Sequence, residues 1–283
     1  MAGPIDDDPL IIALDGLPPE LESSKVVLKA QRRVWLNLAK GLRRPWMTLG
    51  LLVVISITHL LTGVIAFSQG QVNLAGIIVA SRGTGSLVFM GAMYGPKVSD
   101  GELWRLVSCL FLHGDGVHIL LNGIALYGLG RLCESVYGPI RFLWLFLVAG
   151  MCGSTLSWLG GNTASVGASG SIFGLMGACI VFGYRYRLVL PPHIGDLFRK
   201  RLLPWVGLNL VIGFLIPFID NLGHMGGLIG GAAMALIVSN RVVPSEPNRL
   251  EARVAMGAAS GFLLVLTLIG LMFSWIQMSS GGR

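Results

Sequence analysis

The chain has 283 residues, of which 53% are hydrophobic and only 12% are charged. A soluble domain usually carries about twice that charged fraction, so the composition excludes an ordinary soluble protein and indicates an integral helical membrane protein. The formal net charge of +7 does not indicate nucleic-acid binding, because the basic residues cluster in loops between the apolar segments.

The first 46 residues form a polar tail that opens acidic and turns basic from Lys25 onwards. Within the basic part, apolar residues recur at roughly helical spacing, which predicts either an amphipathic helix on the membrane surface or a solvated tail. These apolar residues are Val27, Leu28, Val34, Trp35, Leu38 and Leu42.

Apolar segments near the length of one bilayer crossing follow the tail, and they predict seven transmembrane helices. Residues 68–105 are interrupted by polar stretches, so we interpret them as one long loop. The predicted organisation is a tail over 1–46, a six-helix core over 47–240, and a loop with a seventh span over 241–283. The seven predicted spans are 47–67, 106–130, 140–160, 168–186, 202–219, 222–240 and 255–277.

The distribution of basic residues predicts the orientation of these spans in the membrane. With the amino terminus inside, 17 of the 21 Lys and Arg residues lie in the tail or in inside loops. Basic residues concentrate on the cytoplasmic side of membrane proteins, so the amino terminus is predicted to be cytoplasmic.

Polar or ionisable residues inside spans are energetically expensive and are functional candidates. His118 and Asn122 are four residues apart in "HILLN" and therefore share one face of the second span. Ser169 and His224 occur near the starts of the fourth and sixth spans. Even-numbered spans all run from outside to inside, so these four side chains are predicted to lie at similar depth near the outer surface.

Glycine spacing predicts close contact between the fourth and sixth spans. Small residues four apart form ridges that let two helix backbones approach closely in lipid. Because Ser169 and His224 are each next to the first glycine of such a ridge, packing would bring a hydroxyl towards an imidazole, which can activate serine as a nucleophile. The glycines are Gly170 and Gly174 in one span, with Gly223, Gly227 and Gly231, and also Gly226 and Gly230, in the other.

The motifs "GASGSIFG", "HILLN" and "GHMGGLIGG", together with Trp104 and Arg105 in "ELWRLV", resemble the rhomboid intramembrane serine proteases. The resemblance covers roughly residues 47–240, with the motifs in family order, and implies an all-α, polytopic, rhomboid-like bundle. It implies that Ser169 is the nucleophile and His224 the general base, without an acidic third member. His118 and Asn122 would stabilise the oxyanion.

The resemblance also implies supporting roles for residues around this pair. Phe173 takes the position where the family places an aromatic ring against the base histidine. Gly167 and Gly170 flank the serine, and His113 is expected to support the site or its loop. Ser171 is expected only to pack.

The function implied by the resemblance is that of an endopeptidase that cuts transmembrane proteins near the extracytoplasmic face. Its expected setting is the bilayer of a bacterial plasma membrane, with water as the second reactant and no metal or organic cofactor. The alternative is a non-catalytic rhomboid-like protein that binds membrane clients, although both Ser169 and His224 are present. A channel would distribute polar residues along a path, whereas here they gather at one end.

Overall fold

The computed structural model describes residues 25–216 and 219–243. The predicted seventh span, 255–277, and the first 24 residues of the tail lie outside the described residues. The described residues form a helical bundle, and their strands are confined to one short antiparallel pair. This agrees with the predicted fold class of a polytopic helical membrane protein.

The helices in chain order are α1 (Lys25–Leu42), α2 (Trp46–Ser68), α3 (Gly76–Val79), α4 (Thr84–Phe89), α5 (Gly95–Ser99), α6 (Arg105–Ser108), α7 (Gly116–Ala125), α8 (Arg131–Tyr137), α9 (Pro139–Leu159), α10 (Ser169–Arg185), α11 (Pro192–Asp196), α12 (Leu202–Leu215) and α13 (Asn221–Ile237). A 3₁₀ turn covers Cys109–Phe111, and π turns cover Leu126–Gly130 and Leu197–Arg201. Strands β1 (Met93–Tyr94) and β2 (Ala164–Ser165) pair antiparallel, with Met93 opposite Ser165.

Three helical segments of the described residues are long and apolar enough to cross a membrane, and α13 is a shorter apolar helix. Helices α2, α9, α10 and α13 match four of the predicted spans to within a few residues. The predicted span 202–219 ends earlier in the structure, at Leu215 in α12. The three long segments are Ala30–Ser68, Gly116–Tyr137 and Pro139–Leu159.

The predicted second span, 106–130, is wrong as a single helix. The chain leaves its 3₁₀ turn at Leu112, and α7 begins at Gly116. Asp115 caps the new helix by accepting a hydrogen bond from the backbone N–H of His118 at 2.8 Å, as N-cap residues do. The helical segment then continues through the π turn to Tyr137, so the span begins and ends later than predicted.

Helix α1 packs along one of its faces against helix α8 of the bundle. Val34 and Leu38 are buried, and a Cβ on Gly41 would lie 2.8 Å from the Cα of Ser135 in α8. Leu28 and Trp35 are exposed on another side of the helix. The helix is therefore amphipathic, and its buried stripe contacts α8, while its place at the membrane surface stays a prediction.

Glycines bring α13 against two neighbouring helices. A Cβ on Gly227 would collide with the carbonyl oxygen of Gly170 in α10. On the other side of α13, a Cβ on Gly226 would lie 2.8 Å from the carbonyl oxygen of Cys152 in α9. The contact predicted from glycine spacing is confirmed, and α13 is held between α9 and α10.

Glu134 in α8 caps the amino-terminal end of α2. Its carboxylate accepts hydrogen bonds from the backbone N–H of Met47 at 3.1 Å and of Thr48 at 2.8 Å. The Thr48 hydroxyl donates a third bond at 2.7 Å. An anion at a helix amino terminus is favoured by the helix dipole and the free N–H groups.

Arg105 anchors the long loop between α2 and α7. Its buried guanidinium donates to the carbonyl oxygens of Val88 and Ala92 and to the carboxylate of Glu102. The guanidinium carbon also lies 4.6 Å from the centre of the Trp104 ring. The Trp104–Arg105 pair therefore has a structural role in holding this loop.

Candidate active site

Ser169 and His224 meet where α10 and α13 begin. Ser169 is the first residue of α10, and His224 lies in the first turn of α13. The Ser169 Oγ lies 2.8 Å from the His224 Nε2, which is hydrogen-bonding distance. A hydroxyl in this contact can transfer its proton to the imidazole as it attacks an electrophile.

The His224 ring is held by an aromatic neighbour. Phe173, one turn after Ser169, stacks on it with ring centres 4.3 Å apart and an angle of 12° between the planes. His224 is buried, and within the described residues its Nδ1 has no hydrogen-bond partner. The Ser169–His224 contact is therefore made without a carboxylate bonded to the imidazole in this part of the chain.

Ser171 lies on a different side of α10 from His224. It is fully buried, and its Oγ occupies the space that a Cβ on Gly150 of α9 would need. The two serines of the motif thus have separate environments, and only Ser169 contacts the histidine.

Gly167 brings His118 close to the serine. Gly167 has φ +123°, a backbone conformation that favours glycine. A Cβ at this position would lie 2.7 Å from the His118 Nε2. The imidazole of His118 therefore lies against the backbone two residues before Ser169, where a side chain on residue 167 would exclude it.

Asn122 and His113 both contact His118, in different ways. The Asn122 Nδ2 donates to the backbone carbonyl of His118 at 3.0 Å. His113 is fully buried, and its ring meets the His118 ring edge to face at 5.0 Å. No hydrogen bond joins Asn122 to Ser169 or His224 among the described residues, so the predicted group of four is brought together only in part.

A small cavity lies beside the serine and the histidine. Its lining includes Ser165 and Asp220, two polar residues that the motifs do not contain. Neither His118 nor Asn122 lines this cavity. Asp220, just before "NLGH", is at a position where a carboxylate signals a helix N-cap. Its hydrogen bond with Ser165, 55 residues earlier in the chain, depends on the tertiary structure and has no signal in the sequence.

The fold and the site define a class: polytopic helical membrane proteins in which a serine and a histidine meet between glycine-packed helices. The sequence-family model of the rhomboid domain matches residues 100–241 of this chain. The chain is 39% identical over 184 residues to rhomboid protease GluP of Bacillus subtilis, covering 65% of this chain and 36% of that protein. The chain belongs to the rhomboid family.

Two further relatives come from eukaryotes. RHOMBOID-like protein 5 of Arabidopsis thaliana is 36% identical over 152 residues, covering 53% of this chain and 48% of that protein. Rhomboid-like protease 5 of Toxoplasma gondii is 36% identical over 145 residues, covering 50% of this chain and 17% of that protein. The chain spans about half or less of the length of each of these relatives.

Proposed function

We propose that this protein is an intramembrane serine endopeptidase that hydrolyses peptide bonds in or near the transmembrane segments of other membrane proteins. The observation that carries the proposal is the 2.8 Å contact between Ser169 Oγ and His224 Nε2. Membership of a family in which two relatives are named as proteases supports it.

In the proposed reaction, Ser169 Oγ attacks the carbonyl carbon of the scissile bond while His224 Nε2 takes the hydroxyl proton. The tetrahedral intermediate collapses, the C–N bond breaks, and the imidazolium gives its proton to the leaving amine. Water then attacks the acyl-enzyme ester with His224 again acting as base. Hydrolysis of the ester returns the free hydroxyl and releases the carboxylate product.

The oxyanion of the intermediate requires hydrogen-bond donors, and we assign this role to His118 and Asn122. The position of His118 against Gly167 supports its part. Asn122 uses one N–H on the His118 carbonyl, and a primary amide has a second N–H to donate. One such donor is typically worth about 2.7–4 kcal/mol in the transition state.

We place the proposed site towards the extracytoplasmic side of a bacterial plasma membrane. The support is the bias of basic residues, which assigns the starts of α10 and α13 to the outside. A membrane-impermeant thiol reagent added outside intact cells should label a cysteine introduced at the exposed Asp100 and should miss one at Asp196. The reverse labelling pattern would show that the protein has the opposite orientation in the membrane.

Variants of the two site residues test the chemistry. Ser169→Ala and His224→Ala should each abolish cleavage of a transmembrane substrate by purified protein in detergent, and Ser169→Ala should abolish labelling by a fluorophosphonate probe. Ser171→Ala is the matched control, and it should retain substantial activity because Ser171 does not contact His224. Cleavage by Ser169→Ala would end the proposal. A wild-type protein that binds substrates but neither cleaves nor labels would be the non-catalytic client-binding alternative.

A further inference from the structure

One carboxylate joins the helix that carries His224 to the loop that leads into Ser169. We propose that Asp220 is a positioning residue, which holds the Ser169 hydroxyl at reacting distance from His224 by bonding to both segments at once. The proposal rests on the proposed serine-protease function. It adds an acidic residue that acts on the pair through neighbouring residues, without a bond to the imidazole.

On the helix side, Asp220 fixes the first turn of α13. Its Oδ1 accepts a hydrogen bond from the backbone N–H of Gly223 at 2.8 Å, which makes it the N-cap. Its backbone carbonyl accepts from the N–H of His224 itself at 3.0 Å. The position of the histidine backbone is therefore set directly from Asp220.

On the loop side, the same carboxylate holds two side chains that precede Ser169. Asn162 Nδ2 donates to Oδ1 at 2.7 Å, and Ser165 Oγ donates to Oδ2 at 2.7 Å. Asn162 Nδ2 also donates to the Oγ of the buried Ser157 in α9, at 2.9 Å. Both carboxylate oxygens thus bind the loop, and the loop is tied in turn to α9.

The loop needs such ties because of its glycines. Gly161 and Gly167 have φ of +84° and +123°, and glycine gives a chain more conformational freedom than any other residue. Asn162 and Ser165 lie between these two positions. Ser169 follows Gly167 by two residues and is the first residue of its helix, where helices fray.

Glycine packing between α10 and α13 does not replace these bonds. The contacts of Gly227 with Gly170 and of Gly231 with Gly174 set the distance between the helix backbones below the serine. They leave the segment before Ser169 to be fixed by its own contacts, which are the pairing of β2 with β1, the bond from the Gly167 N–H to the Cys109 carbonyl, and the side-chain bonds that join it to Asp220. A misplacement of about 1 Å at a catalytic group can lower a rate by about 10²-fold.

The competing interpretation is that Asp220 only caps α13. Substitutions on the loop side separate the two, because Asn162→Ala and Ser165→Ala each remove a bond to the carboxylate and leave the cap to Gly223 intact. Asp220→Asn keeps a cap acceptor, and its amide can still pair with both loop side chains. Ser86→Ala is the matched control, since Ser86 donates one hydrogen bond to Gln71 in the long loop between α2 and α7, away from the site.

The test measures kcat and KM on a transmembrane substrate, the rate of fluorophosphonate labelling of Ser169, and the melting temperature of the full chain. We expect Asn162→Ala and Ser165→Ala each to lower kcat and the labelling rate by about 10-fold, with KM and melting temperature close to wild type. Asp220→Ala should lower kcat further. Ser165→Thr keeps the hydroxyl and Asp220→Asn keeps the pairing, so each should have most of the wild-type activity that the alanine variant at its position loses.

The proposal is overturned if both loop variants keep wild-type kcat and labelling rate, because Asp220 would then be only a cap. It is also overturned if their losses are accompanied by an equal loss in Ser86→Ala, or if Ser165→Thr fails to restore activity. Failure of the proposed function looks different, since the wild-type protein itself would then neither cleave substrate nor label at Ser169.

Discussion

Helices α10 and α12 are both apolar, yet only one of them is buried. Twelve of the 17 residues of α10 are buried, whereas only Val206 and Gly213 are buried among the 14 residues of α12. The large side chains of α12, such as Leu208 and Phe214, are exposed on the outside of the bundle.

The difference shows which residues drive association in a membrane. Lipid tails are as apolar as leucine, so helices gain little by burying leucine against each other. Small residues permit close backbone contact, and α10 presents Gly170, Gly174 and Gly177 to α13. By contrast, a Cβ on Gly207 of α12 would meet no atom within 4 Å. Glycine placement, more than hydrophobicity, separates the two helices.

Phenylalanines in the two helices give the largest expected contrast. Phe173→Ala removes the ring stacked on His224 and leaves a cavity, so we expect a loss of about 3–5 kcal/mol in the free energy of unfolding together with most of the turnover. Phe214→Ala, at a side chain that is 74% exposed, should change both by little. Thermal unfolding and substrate cleavage in detergent measure this, and equal effects of the two variants would refute the contrast.

Asparagines that make the same local bond give the second contrast. Asn122 and Asn209 each donate to the backbone carbonyl four residues earlier, but only Asn122 is assigned to the oxyanion. Asn122→Ala should lower kcat by about 10²-fold with a smaller effect on KM, and Asn209→Ala should keep wild-type kinetics. If Asn122→Ala instead loses melting temperature in proportion to activity, Asn122 acts by packing helices.

Glycine substitutions give the smallest expected effect and address the comparison most directly. Gly231→Ala places a methyl group against the backbone of Gly174, so we expect it to destabilise the protein by about 1–3 kcal/mol. Gly207→Ala adds the same methyl group where there is space, and alanine favours a helix over glycine by about 1 kcal/mol. Opposite shifts in melting temperature are therefore expected, and shifts of the same sign would argue against glycine packing.

Much of the bundle could be predicted from the sequence, because membrane spans are set by length and hydrophobicity. The break before α7 was missed because apolar residues continue on both sides of it, although Asp115 between Gly114 and Gly116 is a turn and helix-cap signal. The burial of α1 on α8 was missed for another reason. A helix with an apolar stripe can pack on lipid or on protein, and the stripe containing Val34 and Leu38 does not distinguish them.

The contact between Ser169 and His224 could also be predicted, since both residues adjoin glycine ridges at the same depth. The bonds from Asn162 and Ser165 to Asp220 could not, because they join a loop to a helix 55 or more residues later through side chains with no periodic pattern. Hydrogen bonds of this kind depend on the final geometry of the loop. The spacing of residues in the sequence carries no information about this loop geometry.

The cap formed by Glu134 has a consequence for where this protein can be divided. The region matched by the rhomboid domain begins at residue 100, but within the described part of the chain the donors to the Glu134 carboxylate come from Met47 and Thr48. A fragment cut at the matched boundary would lose these donors together with α1 and α2, which cover the part of α8 where the Glu134 side chain is 2% exposed in the structure. We therefore expect a piece that begins at residue 100 to be less stable than one that also contains α1 and α2.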